Sequence, residues 1–80
     1  MLTGKELRNF RLSLDLALRD VERQTYISKK WLIRIESEQH VSMKLQRYLE
    51  LFYEDKKRKI LLAALAAEAS DADFDENYVR

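Results

Sequence analysis

Three basic residues stand at a spacing that places them on one side of a helix. Lys29, Lys30 and Arg34 are separated by one and four residues, which at 100° per residue keeps them within an arc of about 140°. Arginine donates bidentately to guanine O6 and N7 or to phosphate oxygens, whereas lysine acts more as a point charge. Side chains of these types on one face of a helix can recognise a nucleic acid. The alternative interpretation is an ordinary solvated basic face.

The same arc carries two residues that are not basic. Ile33 and Ser37 fall beside the cations at helical spacing. Ile33 could contact a thymine methyl group or pack on a partner, and the sequence favours neither. Lys44, further along, is a candidate for a backbone phosphate contact. The candidate DNA-binding residues are Lys29, Lys30, Ile33, Arg34, Ser37 and Lys44.

The opposite side of this segment is apolar. Leu32 and Ile35 share an arc with Trp31, which predicts a helix over residues 29–38 with one face in a core and the other in solvent. Ser28 is its predicted N-cap. We expect Trp31 to pack at the edge of the core, because base-stacking platforms suit single strands.

Two shorter helices and a turn are predicted before this segment. Thr3 and Glu6 have capping-box spacing, so the first helix begins there, and Asp15 interrupts it. The second helix is predicted over residues 17–25, and residues 26–28 form a break. Two short helices joined by a three-residue turn, with a basic outward face on the second, have the geometry of a helix-turn-helix unit.

The residues that build this unit resemble the Cro/CI-like (XRE-type) helix-turn-helix family. Residues 27–36 read ISKKWLIRIE and fit the family pattern I/V-S-x-x-x-I/L-x-x-I/L-E, while residues 7–8 and 18–21 read LR and LRDV. The likeness covers residues 4–53. It implies an all-α fold, a five-helix bundle of the lambda-repressor-like type. It also implies a transcriptional regulator, most often a repressor of phage, plasmid or mobile-element type.

The resemblance also assigns residues to roles. It places a structural salt bridge between Arg11 of the first helix and Glu36 at the end of the recognition helix. It places the base-reading positions on Lys29, Lys30 and Arg34. The helical arc selects the same three residues independently, and this agreement supports the DNA-binding interpretation.

Three positions depart from the family pattern. Leu18 stands where the family has a glutamine that contacts phosphate, and Ala17 stands at the capping position, so Asp15 is expected to cap instead. Tyr26 replaces the turn glycine and must accept a positive φ or change the turn. These departures favour an alternative function, a protein-interaction module on a degenerate helix-turn-helix fold, such as an anti-repressor or an inhibitor.

The C-terminal part is expected to support a dimer. Ser42 is a possible cap for a fourth helix carrying Leu45, Leu49 and the aromatic residues Tyr48, Phe52 and Tyr53, which are expected in the core. A fifth helix at residues 60–67 is apolar on every side, which an 80-residue monomer can hardly bury. We therefore predict a homodimer interface whose residues are Ile60, Leu61, Leu62 and Leu65.

Charge divides the chain into a basic body and an acidic end. Up to Ala67 there are 14 basic and 9 acidic side chains, a net charge of +5, and beyond it one basic and five acidic, a net charge of −4. We predict one helix-turn-helix domain with its dimerisation helix over residues 1–69 and a disordered acidic tail over residues 70–80. The Lys56–Lys59 cluster leaves open a membrane-surface helix at residues 56–67.

Composition excludes most enzyme classes. The chain of 80 residues has no cysteine or proline, one glycine and one histidine, His40, expected in a loop. These numbers exclude disulfides, thiolate metal sites and a glycine-rich phosphate loop. A single histidine also makes a His-ligated metal site or a histidine-based triad hard to build. Asp71, Asp73 and Asp75 lack the glycine of a calcium loop. We expect no catalytic residue, metal or cofactor, no membrane segment and a cytoplasmic location.

Taken together, the sequence predicts a dimeric binder of double-stranded DNA. A two-fold dimer should recognise a near-palindromic operator with half-sites about one helical turn, ~34 Å, apart.

Overall fold

A computed structural model describes residues 1–39 and 41–76 of the chain, with side chains up to Ala69. It has four α-helices, α1 (Gly4–Ser13), α2 (Leu18–Thr25), α3 (Lys29–Glu36) and α4 (Met43–Glu76), and these described residues contain no strand. The all-α class is confirmed. Within the same residues, no helix has the apolar length needed to cross a bilayer.

The beginning of α1 is fixed by its own residues and by α3. The predicted capping box is confirmed, because the Glu6 amide donates to Thr3 Oγ1 (3.1 Å) and the Thr3 amide donates to Glu6 Oε1 (2.9 Å). Gly4 is buried where α1 meets the end of α3, and a Cβ atom there would overlap the Ile35 carbonyl oxygen. A glycine is therefore required for this close approach of two backbones.

All four helices contribute to one apolar core. Tyr53 lies at its centre, with its ring centroid 5.6 Å from those of Phe10 and Phe52. The prediction that Tyr48 is a core residue is wrong, because its side chain is 47% exposed. The buried apolar residues are Leu7, Val21, Leu32, Ile35, Leu49 and Tyr53.

The predicted division of the C-terminal region into a fourth and a fifth helix is wrong. One continuous helix, α4, spans both. The charged stretch between them stabilises a helix, since Asp55 pairs with Arg58 (2.8 Å) and with Lys59 (2.9 Å) at spacings of three and four residues. The segment also lacks glycine and proline, the residues that most readily break a helix.

The predicted disordered tail is likewise wrong for residues 70–76. The helix α4 continues through Glu76, and residues 77–80 lie outside the described residues. His40, predicted in the loop between α3 and α4, lies outside them too.

Only the first part of α4 packs on the core. Leu49 and Tyr53 are buried, whereas every side chain from Lys57 to Ala69 is exposed. A helix of 34 residues is about 51 Å long. Its second half therefore projects from the core, and the molecule measures 60 × 23 × 17 Å.

Candidate nucleic-acid interface

The turn between α2 and α3 accommodates a tyrosine in the left-handed region. Tyr26 has φ 64° and ψ 12°, its amide donates to the Glu22 carbonyl (2.8 Å), and its side chain is 92% exposed. This left-handed conformation costs a non-glycine residue roughly 1–2 kcal/mol. Tyr26 thus adopts the positive φ, and the three-residue turn is retained.

The start of α2 is capped differently from the expectation. Ala17 has no side-chain oxygen, and its amide donates to Asp20 Oδ2 (2.8 Å). The expectation that Asp15 caps this helix is wrong, because Asp15 lies in the preceding turn with φ 59°. Leu18 is half-buried against the core. The position therefore contributes to packing and offers no polar group to a phosphate.

Two side chains accept hydrogen bonds from backbone amides at the amino end of α3. Ser28 Oγ accepts from the Trp31 amide (3.4 Å), which confirms the predicted N-cap, and Glu22 Oε2 accepts from the Lys29 amide (3.1 Å). The Glu22 carboxylate places negative charge where a helix otherwise attracts anions. Phosphate contacts near this end must therefore come from side chains.

The outward face of α3 carries the predicted residues. Lys29, Lys30 and Ser37 are exposed, Ile33 is 45% exposed and Arg34 is half-buried. Leu32 and Ile35 on the other face are buried in the core. The helix is thus divided into a core face and a solvent face with three cations.

Trp31 belongs to the surface rather than to the core edge. It is 42% exposed, and the Arg34 guanidinium carbon lies 5.0 Å from its ring centroid, a cation–π arrangement. Trp31 and Lys44 also line the same open groove, between α3 and the start of α4. The prediction of a core-edge role is wrong. A sequence signal existed, because Trp31 and Arg34 are three residues apart and therefore adjacent on a helix.

Arg11 and Glu36 join α1 to the end of α3. The Arg11 Nε and Nη2 groups donate to the two Glu36 carboxylate oxygens (2.7 and 3.0 Å), and Nη1 donates to the Leu16 carbonyl (2.8 Å). The two side chains are only 7% and 8% exposed. The pKa of Arg11 is raised, chiefly because Glu36 accepts hydrogen bonds from its charged form. This pair fixes α3 relative to α1 and to the turn before α2.

Lys44 lies at the start of α4 with its side chain exposed. The four predicted dimer residues lie far along the same helix, on its projecting half, and are 51–55% exposed. No three His, Asp or Glu side chains of the described residues converge as a metal site requires.

Comparison of the chain with protein-family models, with curated proteins and with solved structures gives no match. The chemistry on the exposed face of α3 is that of hydrogen-bond donors, positive charge and one aliphatic side chain, which suits binding of an anionic, grooved surface.

Proposed function

We propose that this protein is a sequence-specific binder of double-stranded DNA and a transcriptional regulator of the Cro/CI-like helix-turn-helix type. We further propose that it acts as a homodimer and represses transcription. The observation that carries it is the α2–turn–α3 unit, in which α3 buries Leu32 and Ile35 and exposes Lys29 and Lys30 on the opposite face. Such a helix fits the major groove of B-DNA, which is about 12 Å wide.

Each residue of the exposed face has a role that suits its chemistry. Arg34 donates to guanine, and its contact with the Trp31 ring (5.0 Å) limits its conformational freedom before binding. Lys29 and Lys30 act on phosphates or on guanine, and Ile33 contacts a thymine methyl group. Ser37 at the end of α3 and Lys44 at the start of α4 flank this face and contact the backbone.

The remainder of the small domain holds this face in place. The buried Arg11–Glu36 pair connects the end of α3 to α1 with two short hydrogen bonds, and Arg11 donates a third to the Leu16 carbonyl before α2. A reading helix has to be positioned accurately, because each bidentate base contact contributes about 1–3 kcal/mol of discrimination only in the correct geometry. The net charge of +5 up to Ala67 adds attraction to DNA that does not depend on sequence.

Selection of bound duplexes from a random pool tests the proposal. The selection is repeated at low and near-physiological salt, and a recovered near-palindrome that survives the higher salt is expected. Its half-site spacing then gives the dimer geometry, ~34 Å for one helical turn. Recovery of only salt-sensitive, unselective binding would mean that phosphate attraction alone is present, and the regulator function would be abandoned.

A matched pair of variants locates the interface. K30E/R34E on α3 and K5E/R8E on α1 change the net charge by the same amount, and Lys5, Arg8 and Lys30 are all exposed. We expect the α3 variant to lose recognition of the selected duplex and the α1 variant to lose only part of its affinity. Equal losses would show that net charge, rather than α3, determines binding.

A protein-interaction module is the second candidate function. It is favoured by Leu18, which packs on the core, and by the Glu22 carboxylate at the amino end of α3. Both features weaken phosphate binding. Failure of the duplex selection together with a stable fold would support this candidate.

A further inference from the structure

A carboxylate of α2 lies at the amino end of α3. Glu22 Oε2 accepts a hydrogen bond from the Lys29 amide (3.1 Å), although the two residues are seven positions apart in the chain. The turn brings them together, because Tyr26 in the left-handed conformation reverses the chain and its amide donates to the Glu22 carbonyl (2.8 Å). Helix α3 has no acidic residue in its own first turn. The negative charge at this end therefore comes from the neighbouring helix.

Only part of this carboxylate is used inside the protein. Among the described residues, the Lys29 amide is its one hydrogen-bond donor, and no lysine or arginine side chain forms an ion pair with it. Glu22 is half-buried, so the carboxylate is not sealed from solvent. An ionised carboxylate has two oxygens and accepts up to about four hydrogen bonds. Glu22 Oε1 is therefore available to a donor outside the protein.

The location of this carboxylate matters for DNA binding, and the inference rests on the proposed function. A recognition helix directs the residues at its amino end toward base edges. In α3 this is the end that holds the Glu22 carboxylate and the exposed side chains of Lys29 and Lys30. A carboxylate repels phosphate, so its favourable partner there is a hydrogen-bond donor on a base.

The major groove presents such a donor on two of the four bases. Cytosine presents its N4 amino group and adenine its N6 amino group, whereas guanine N7 and O6 and thymine O4 are acceptors. Adenine also presents the N7 acceptor next to N6, and this atom repels a carboxylate oxygen. Cytosine is therefore the base whose edge suits a carboxylate best.

We propose that Glu22 is a specificity-determining residue that selects a cytosine at the amino end of α3. Its Oε1 accepts a hydrogen bond from cytosine N4, while Oε2 keeps its bond with the Lys29 amide. The same charge disfavours guanine and thymine at this position, because their edges present acceptors. The carboxylate that weakens phosphate binding thus contributes to recognition of the base sequence.

The dimensions of α3 give the expected place of this cytosine in a half-site. Lys29, whose amide holds Glu22, and Arg34, which donates to guanine in the proposed function, are five positions apart. This separation is about 7.5 Å along the helix axis, and successive base pairs are about 3.4 Å apart. A helix that lies along the groove therefore reads the cytosine and the guanine about two base pairs apart.

The variant E22Q tests this role and keeps the contacts at the start of α3. The glutamine carbonyl oxygen can still accept from the Lys29 amide, and Ser28 still caps the helix, but the side chain loses its charge and gains an amide donor. Glutamine pairs with adenine N6 and N7. In duplex selection followed by competition binding, we expect wild type to prefer cytosine to guanine about tenfold or more at one position. E22Q should lose this preference, favour adenine there and leave the other positions unchanged.

The variant E54Q is the matched control. It makes the same chemical change and the same change of net charge at an exposed position of α4. We expect E54Q to select the wild-type half-site and to bind all duplexes slightly more tightly, because one negative charge is removed. Urea unfolding of the three chains checks that each remains folded.

The two proposals can fail separately. A near-palindrome recovered with the same base preferences in wild type and E22Q would show that Glu22 only caps α3, and the DNA-binding function would stand. Wild-type half-sites without a cytosine about two base pairs from the guanine would overturn the role of Glu22 as well, even if E22Q were unfolded. A preferred duplex recovered with E22Q but not with wild type would show that Glu22 opposes DNA binding, which also overturns its role. Selection of no preferred duplex by any of the three chains would overturn both proposals, because no base is then recognised.

Discussion

Replacing Arg11 by methionine removes a buried positive charge. The groups that accept its hydrogen bonds, the Glu36 carboxylate and the Leu16 carbonyl, lose their donor. The Glu36 carboxylate, 8% exposed, loses two hydrogen bonds, and the Leu16 carbonyl loses one. Removing one member of a buried ion pair costs about 3–5 kcal/mol, because the remaining charge stays desolvated. A chain of 80 residues is expected to have a total stability of about 4–12 kcal/mol. We therefore expect R11M to lose a large part of the free energy of unfolding.

Urea unfolding followed by circular dichroism measures this loss. With a slope of about 1 kcal/mol per M urea, a loss of this size shifts the midpoint by roughly 3–5 M. Chain concentration is held constant, because dimerisation adds to the apparent stability. If R11M is already unfolded in buffer, the series is repeated in an osmolyte that favours the folded state.

Two controls decide whether burial is the cause. R23Q removes a cation from an exposed pair with Asp20, 3.4 Å apart and with the Arg23 side chain 72% exposed, and should cost less than about 0.5 kcal/mol. R11M/E36L removes both charges and should recover part of the loss. A cost of R11M similar to that of R23Q, or a double variant as costly as the sum of the single changes, would refute the reasoning.

Three further predictions concern single residues. G4A should lower stability by about 1–3 kcal/mol in the same urea assay, because its Cβ would overlap the Ile35 carbonyl; at an open helix position the same change would raise it. Burial raises the pKa of Tyr53, whose hydroxyl has no hydrogen-bond partner among the described residues. Wild type should therefore lose stability as the pH rises above the ordinary tyrosine value of about 10, while Y53F should lack this loss and stay within ~1 kcal/mol of wild type at pH 7. Trp31, the only tryptophan, should change its fluorescence on binding the selected duplex, and W31A should weaken that binding without unfolding the protein; unchanged affinity would show that the ring does not position Arg34.

Local features of the fold were predictable because they depend on residues close together in the chain. Thr3 and Glu6 cap α1 through contacts three residues apart, and Ser28 caps α3 in the same way. The division of α3 into a face with Leu32 and Ile35 and a face with lysines follows from helical periodicity. The break before α3 was predicted at residues 26–28, where Ser28 can cap the helix that follows.

The errors near the α2–turn–α3 unit arose where several groups compete for one role. Asp15 and Asp20 are both near the start of α2, and only the folded backbone brings Asp20 Oδ2 to the Ala17 amide. Trp31 could lie at the core edge or on the surface, and Leu32 and Ile35 already occupy the buried side of α3. Helical periodicity predicts on which side of a helix a residue lies, but it does not predict where the core ends on that side.

The C-terminal errors had a different origin. The expectation of a separate fifth helix came from the charged stretch at residues 54–59 before the apolar block, although local propensities and the Asp55 pairs favour one long helix. Tyr48 was assigned to the core from its spacing with Phe52, yet only one side of α4 meets the small domain.

The sequence by itself determined the helical class, the caps of α1 and α3, the two faces of α3 and the basic, apolar and acidic stretches of α4, because each depends on residue type and on spacing within a few turns. Tertiary structure alone decided how close the backbones of Gly4 and Ile35 come, that Arg11 also binds the Leu16 carbonyl, and where α4 leaves the core. These features depend on distances between segments far apart in the chain, which are set by how the side chains of all four helices fill a common core.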